Sequence, residues 1–206
     1  QPNRVPATNN KAKEPVPVVI PANAVQVADG VFSLGQARDK DGRFVDGYMF
    51  VDYKKENAKP PWAGGGNGGT TCFSFLATGA KWKTIEPWVV NPANTEGLSD
   101  SFVFNNLAAD IQKWEDASSA NILGSGSTDN STLVADTSSP DNINEVYFGS
   151  ITDPGVIAVT IVWGVFSGPP KFRYLAEWDQ VYDQVDYGWN STGEAGKMDF
   201  ENIATH

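Results

Sequence analysis

Two sets of side chains in this sequence have the types and spacing for chemistry. The first is the single histidine, His206, which follows Met198-Asp199-Phe200-Glu201-Asn202-Ile203-Ala204-Thr205. Asp199 suits a helix N-cap, and Phe200, Ile203 and Ala204 recur at helical spacing, so the imidazole is expected on a helix. An imidazole so placed can bind zinc, but a single one supplies too few donors. The second set is acidic. Asp129, Asp136, Asp141, Asn142 and Asn144 crowd a polar stretch, and Glu177, Asp179, Asp183 and Asp186 follow. Carboxylates crowded together repel one another unless a hard cation binds among them. Asp136, Asp141, Asn144, Glu177 and Asp179 are therefore the calcium candidates, set against the plainer reading of a solvated acidic surface.

Other motifs carry less. Asp39-Lys40-Asp41-Gly42 lacks the downstream Glu of a full calcium loop and reads as a hairpin turn. Cys72, flanked by Phe73, Phe75 and Leu76, reads as a core thiol. No nucleophile can find a histidine base except at His206, which excludes classical serine or cysteine hydrolysis. Asn130-Ser131-Thr132 and Asn190-Ser191-Thr192 are glycan acceptor sequons.

Composition narrows the classes further. The 206 residues include 15 basic and 25 acidic side chains, for a net charge of −10. Such a chain repels phosphate backbones, so no nucleic-acid partner is expected. One cysteine forbids an internal disulfide. No apolar run reaches the roughly 18 residues of a membrane span. Gln1 is not a translation start, so the chain is expected to be processed or trimmed. The low charge content and the sequons point to an extracellular setting.

The elements that must position these residues follow from periodicity. Residues 1–29 form a Pro-rich extended arm, read either as a flexible leader or as a segment docking on a sheet edge, its own or a neighbour's. Residues 30–58 read as a small β unit with strands at Val31–Leu34 and Tyr48–Tyr53, and 59–71 as a Gly-rich linker. From residue 72 the pattern is α/β. A strand is expected over 83–90, then a helix carrying Phe104, Leu107, Ala108, Ile111 and Trp114 and capped by Ser99 or Asp100. A polar loop over 124–144 precedes a short strand at Glu145–Phe148. Gly155–Phe166, apolar on both faces, is expected as a buried central strand. Tyr174–Tyr182 alternates aromatic or small residues with acidic ones, as a half-exposed strand does.

Several segments together resemble the matrixins, zinc endopeptidases of the metzincin class. The Phe200–His206 ending resembles the entry to their His-Glu-x-x-His helix, in which two imidazoles one turn apart bind zinc and the Glu acts as general base. The 102–118 helix with Trp114 resembles their long first helix. Asp141-Asn142-Ile143-Asn144-Glu145-Val146 resembles a stretch of their bacterial and archaeal relatives. Ala176-Glu177-Trp178-Asp179-Gln180-Val181-Tyr182, with Asp186-Tyr187-Gly188-Trp189, resembles the segments before their zinc helix. The resemblance covers roughly 81–206. It implies an α/β (α+β) fold, a twisted mixed sheet with one antiparallel edge strand and a long packed helix. It implies zinc at His206 and structural calcium. It also implies that a peptide pairs with the edge strand, placed here at 172–182 and carrying Tyr174, Ala176 and Trp178.

Two functions stay open on the sequence. One is the N-terminal portion of a secreted matrixin-like zinc endopeptidase, acting on a peptide or protein substrate and inactive as given because Glu and two further histidines are missing. The other is a matrixin-derived extracellular subunit that assembles with copies of itself, into a filament or surface layer, by strand addition through its arm.

Overall fold

The structure is a computed structural model and describes residues 16–54, 76–118 and 120–205. His206, Cys72 and the 59–71 linker lie outside the described residues, as do residues 1–15 of the arm. Among the described residues ten strands and two α-helices follow one another: β1 Val25–Ala28, β2 Val31–Arg38, β3 Phe44–Tyr53, β4 Glu86–Asn91, α1 Asp100–Ser118, β5 Leu123–Thr128, β6 Asn144–Gly149, β7 Val156–Val165, β8 Tyr174–Asp183, β9 Trp189–Asn190, β10 Met198–Asp199 and α2 Phe200–Thr205. The fold is mixed α/β. One large sheet runs β1-β2-β3-β7-β8-β6-β4-β5, and β9 and β10 pair separately.

Strands β5, β4, β6 and β8 are parallel to their neighbours in that order. β7 runs antiparallel to β8. The apolar run of β7 makes it a central strand, with β8 on one side and β3 on the other. Residues 30–58 supply β2 and β3 of this same sheet. β3 pairs with β7 from Asp46 opposite Gly164 to Tyr53 opposite Val156.

The sheet buries both faces, and the pleat sends alternate side chains to each. On one face Val146, Phe148, Tyr182 and Trp189 pack with Val103 and Leu107 of α1 and Phe200 of α2. On the other, Tyr147, Val159, Ile161, Trp163 and Val181 pack under Met49, Leu133, Ala135 and the arm residue Val18. Val18 bridges to Ile151 in parallel register, with N–H donors to Ser150 and from Thr152 at 2.8 and 3.0 Å. The arm thus docks on its own chain through this segment.

α1 begins where a cap allows it. Ser99 Oγ accepts the backbone N–H of Phe102 at 3.2 Å. α2 begins likewise, with Asp199 Oδ1 accepting the N–H of Asn202 at 3.0 Å. The helices are tied together by Trp114, whose Nε1 donates to the Thr205 carbonyl at 2.9 Å. Lys113 Nζ also reaches both Asp110 and Glu201, at 2.8 and 2.7 Å.

Two expectations are corrected here. Residues 123–128 were expected largely as loop but form the edge strand β5. Its glycines admit a neighbour, since a Cβ at Gly126 would collide with the Trp88 ring, whose Nε1 donates to the Gly124 carbonyl at 3.1 Å. The second correction concerns β8, which is not an edge. Its Tyr174–Tyr182 stretch pairs with β7, and Asp179–Asp183 pairs with β6. Two further N–H groups are taken as well. Leu175 donates to the Lys81 carbonyl at 3.2 Å and Trp178 to Asn144 Oδ1 at 2.9 Å. With β7 on one side and β6 on the other, β8 is therefore not an open edge on which a peptide can add.

Candidate functional site

Glu177 and Asp179 stand two residues apart on β8, so the pleat places them on one face, that of Val181 and Trp163. The alternation of β8 predicts solvent on its acidic face. The structure instead covers that face, leaving Glu177 0% and Asp179 1% exposed. The cover is the 129–143 loop, drawn down by the carboxylates themselves. Backbone N–H groups of Val134, Asp136 and Asn142 donate to Glu145 Oε2, Asp179 Oδ2 and Glu177 Oε2, the first two at 3.1 and 2.8 Å. Ala135 donates to the Tyr147 hydroxyl at 3.0 Å, and Trp163 Nε1 donates to the Asp136 carbonyl at 2.7 Å. Asn142 takes a left-handed conformation, φ 65°, to present its N–H inward.

This folding-over brings Asp136 to Glu177 and Asp179. Each of the three offers one carboxylate oxygen, and these oxygens lie within 4.8 Å of one another. Hydrogen bonds do not use all of them. Glu177 Oε1 and Asp136 Oδ2 are buried without a partner. Among the described residues no lysine or arginine forms an ion pair with any of the three.

Burial is the largest cause raising every carboxyl here, because the charged form loses its water. Glu177 is raised by burial and then by the charges of Asp179 and Asp136. Asp179 is raised well above the ordinary carboxylate range by burial, despite its two amide donors. Asp136 rises for the same reason, with Asp141 adding to it. Glu145 nearby is pushed up to about 7 by burial.

The other candidate residues fall outside this trio. Asp141 lies exposed at its margin, its Oδ1 accepting the N–H of Ile143 at 2.8 Å. Asn144 is buried, and its amide clamps two strands, donating to the Pro87 carbonyl at 2.8 Å and accepting from Trp178. It is thus a sheet clamp rather than a cation ligand. Asn130 is exposed, as a glycan acceptor must be. Asn190 is not. It is 6% exposed, its Nδ2 donates to the Glu194 carbonyl, and its Oδ1 closes the turn by accepting from Thr192 and Gly193. A side chain so used cannot receive a glycan, which corrects the second sequon.

The Asp39–Gly42 segment is a turn closed by its own chain. Asp39 Oδ1 accepts the N–H groups of Asp41 and Arg43, and Oδ2 accepts Arg43 Nε at 2.9 Å. Asp39 thus has a cation already. What the sequence does not disclose is Glu145 as a fourth buried carboxyl beside the trio. Its place next to Asn144 in a polar stretch was the available signal.

The trio presents only oxygen donors, the chemistry of a hard cation rather than of zinc. The chain's one histidine lies outside the described residues. Among the described residues no helix is long and apolar enough to cross a membrane. No family model matches the chain, and neither a curated protein nor a solved structure matches it.

Proposed function

We propose that the chain is the N-terminal portion of a secreted matrixin-like zinc endopeptidase, unable by itself to hydrolyse peptides. The observation that supports this reading is the order of the strands after residue 85. β5-β4-β6-β8-β7 is a parallel run flanked by one antiparallel strand, with α1 between β4 and β5 and α2 leading toward His206. The matrixin resemblance implies a mainly parallel sheet with one antiparallel strand, though it places that strand at an edge over 172–182. The antiparallel strand is β7, and its outer edge is occupied by β3 of the same chain. A peptide cannot add to an edge whose donors and acceptors are already paired. Zinc would supply the Lewis acid of such an enzyme, but one imidazole does not fit the group, and no catalytic step is assigned to these residues.

The test is to read the coding sequence beyond His206. The sequence expected next is Glu-x-x-His. Express the extended chain and measure its zinc content and cleavage of a casein substrate. A continuation lacking the Glu and the second histidine sinks this reading.

A second reading, an extracellular subunit assembling with its own copies, draws support from β1. This edge strand is exposed along its whole length and carries Val25 and Val27 at 63% and 56% exposure. An apolar open edge of this kind invites strand addition. Concentration-dependent light scattering decides it: a chain that stays monomeric at high concentration is not such a subunit.

A further inference from the structure

We propose that one end of the sheet, formed by the β2–β3 turn, residues 78–83 and the β7–β8 connection, docks on a lipid bilayer with anionic headgroups. This surface uses neither α2 nor the acidic trio and is independent of the protease reading.

Charge is distributed unevenly along the chain. Residues 36–46, 76–86 and 166–175 carry seven basic and four acidic side chains, whereas the rest of the chain carries eight basic and 21 acidic ones. The three segments meet at one end of the sheet. Leu175 donates its N–H to the Lys81 carbonyl at 3.2 Å, and Arg173 Nη1 donates to the Thr78 carbonyl at 2.7 Å. Lys83 Nζ reaches the Lys171 carbonyl at 3.5 Å, and the Arg43 guanidinium lies 5.2 Å from the centre of the Tyr174 ring. Asp39 and Asp41 are both taken by Arg43. Among the described residues no carboxylate forms an ion pair with Arg38, Lys40, Lys81, Lys83, Lys171 or Arg173. An acidic protein thus gathers its unpaired cations at one pole.

Two large apolar rings stand in this basic field. Phe44 is 60% exposed and Phe172 61%. Each has a cation over its face, Arg38 at 3.9 Å from the Phe44 centroid and Lys171 at 4.8 Å from that of Phe172. Such a pair is amphipathic. The ring enters the boundary between headgroups and acyl chains, while the cation stays level with the phosphates. A soluble polyanion would engage the cations but gain nothing from burying the rings, so a bilayer is the occupant that uses both. The net charge of −10 does not prevent docking. β7 and β8 are ten residues long, so their far ends stand roughly 30 Å away. Charges more than about 10 Å from the surface are largely screened at physiological salt. The acidic remainder instead turns the molecule basic end first.

Vesicle co-sedimentation of the 206-residue chain tests this. Vesicles of phosphatidylcholine alone are compared with vesicles of phosphatidylcholine and phosphatidylglycerol in equal parts, at low and at high sodium chloride. The chain is expected to bind the mixed vesicles, to leave the neutral ones, and to be released by salt. Lys83→Glu combined with Lys171→Glu should weaken binding by about tenfold or more, since each cation near an anionic surface contributes about fivefold. Phe44→Ser combined with Phe172→Ser keeps every charge and should weaken binding by about tenfold. Lys197→Glu, beside Glu96 and Glu194, reverses a charge elsewhere and should leave binding unchanged. The substituted side chains are all exposed, so each variant is expected to fold with the wild-type Tm. No binding of the wild type to mixed vesicles at low salt would overturn the proposal. So would a loss with Lys197→Glu as large as that with the paired lysine variant. Binding to soluble heparin, with the paired serine variant still sedimenting with mixed vesicles like wild type, would overturn it in favour of a polyanion site.

Discussion

The backbone N–H of Asn142 donates to Oε2 of Glu177 from a left-handed conformation, φ 65°. Asn142 also accepts, through Oδ1, the N–H of Lys40 at 3.1 Å. One residue therefore links the buried carboxylate to the β2–β3 turn. Asn has the same Cβ as alanine, but its short polar side chain offsets the penalty by hydrogen bonding, whereas alanine has no side-chain acceptor to do so. Asn142→Ala should cost about 1–3 kcal/mol. Asn142→Gly keeps the backbone comfortable and should cost less. Urea denaturation of the two variants checks the order, and equal losses would show that the backbone strain is immaterial.

The buried carboxyls also set a pH trend. Glu145 is pushed up to about 7, and Glu177, Asp179 and Asp136 are raised as well. A carboxyl whose folded pKa exceeds its unfolded value binds more protons when folded, so its ionisation opposes folding. In chelated buffer, stability should be highest near the ordinary carboxylate range and fall as pH rises through about 7. Thermal unfolding from pH 5 to pH 8 reads this directly. A Tm that climbs over that window, with chelator present, contradicts it.

Trp163 and its cross-strand partner Gly47 pack closely between β3 and β7. A Cβ built on Gly47 would lie 2.5 Å from the indole ring. The ring is fully buried and cannot swing away while Nε1 holds the Asp136 carbonyl. Gly47→Ala should cost about 1–3 kcal/mol, the range for overpacked cores. Combined with Trp163→Phe, the loss should be smaller than the sum of the two single losses. A double-mutant cycle measures that coupling.

Phe200, the first residue of α2, is fully buried against Phe148, Tyr182 and Trp189, with ring centroids 5.3, 5.0 and 6.1 Å away. Phe200→Ala should cost about 3–5 kcal/mol. Near-UV circular dichroism should lose the signal of this aromatic group. A variant that unfolds at the wild-type urea concentration would mean that α2 is not packed as described.

Much of the local structure is readable from residues in sequence, and the tertiary relations are not. β7 is recognisable because Val156, Ile157, Val159, Ile161 and Trp163 leave neither face polar, which only a strand covered on both sides allows. α1 shows its cap and its period, but Asp110 is buried in it by bonds to Asn106 and Lys113 that a hydrophobic pattern does not reveal. β5 escapes detection because Gly124 and Gly126 are there to make room for Ile85 and Trp88, not to pack a core themselves. The place of β8 depends on which strands arrive beside it, a non-local matter. The acidic residues of the site are recognisable as cation candidates, and their spacing on β8 puts two on one face. Their burial is not recognisable, because the loop that covers them is polar and held by backbone amides rather than by apolar side chains.

The pairing of β3 with β7 has a consequence for how the chain is made. The hairpin of β2 and β3 leaves the ribosome more than a hundred residues before β7 does. At roughly 5–20 residues per second, β3 waits several seconds with one flank unpaired. Met49 and Val45, buried in the finished sheet, have no cover during that interval. The strand that covers β3 is thus synthesised after β4, β5 and β6, and the nascent hairpin is the stage at which chaperones, or neighbouring nascent chains, would find this flank exposed.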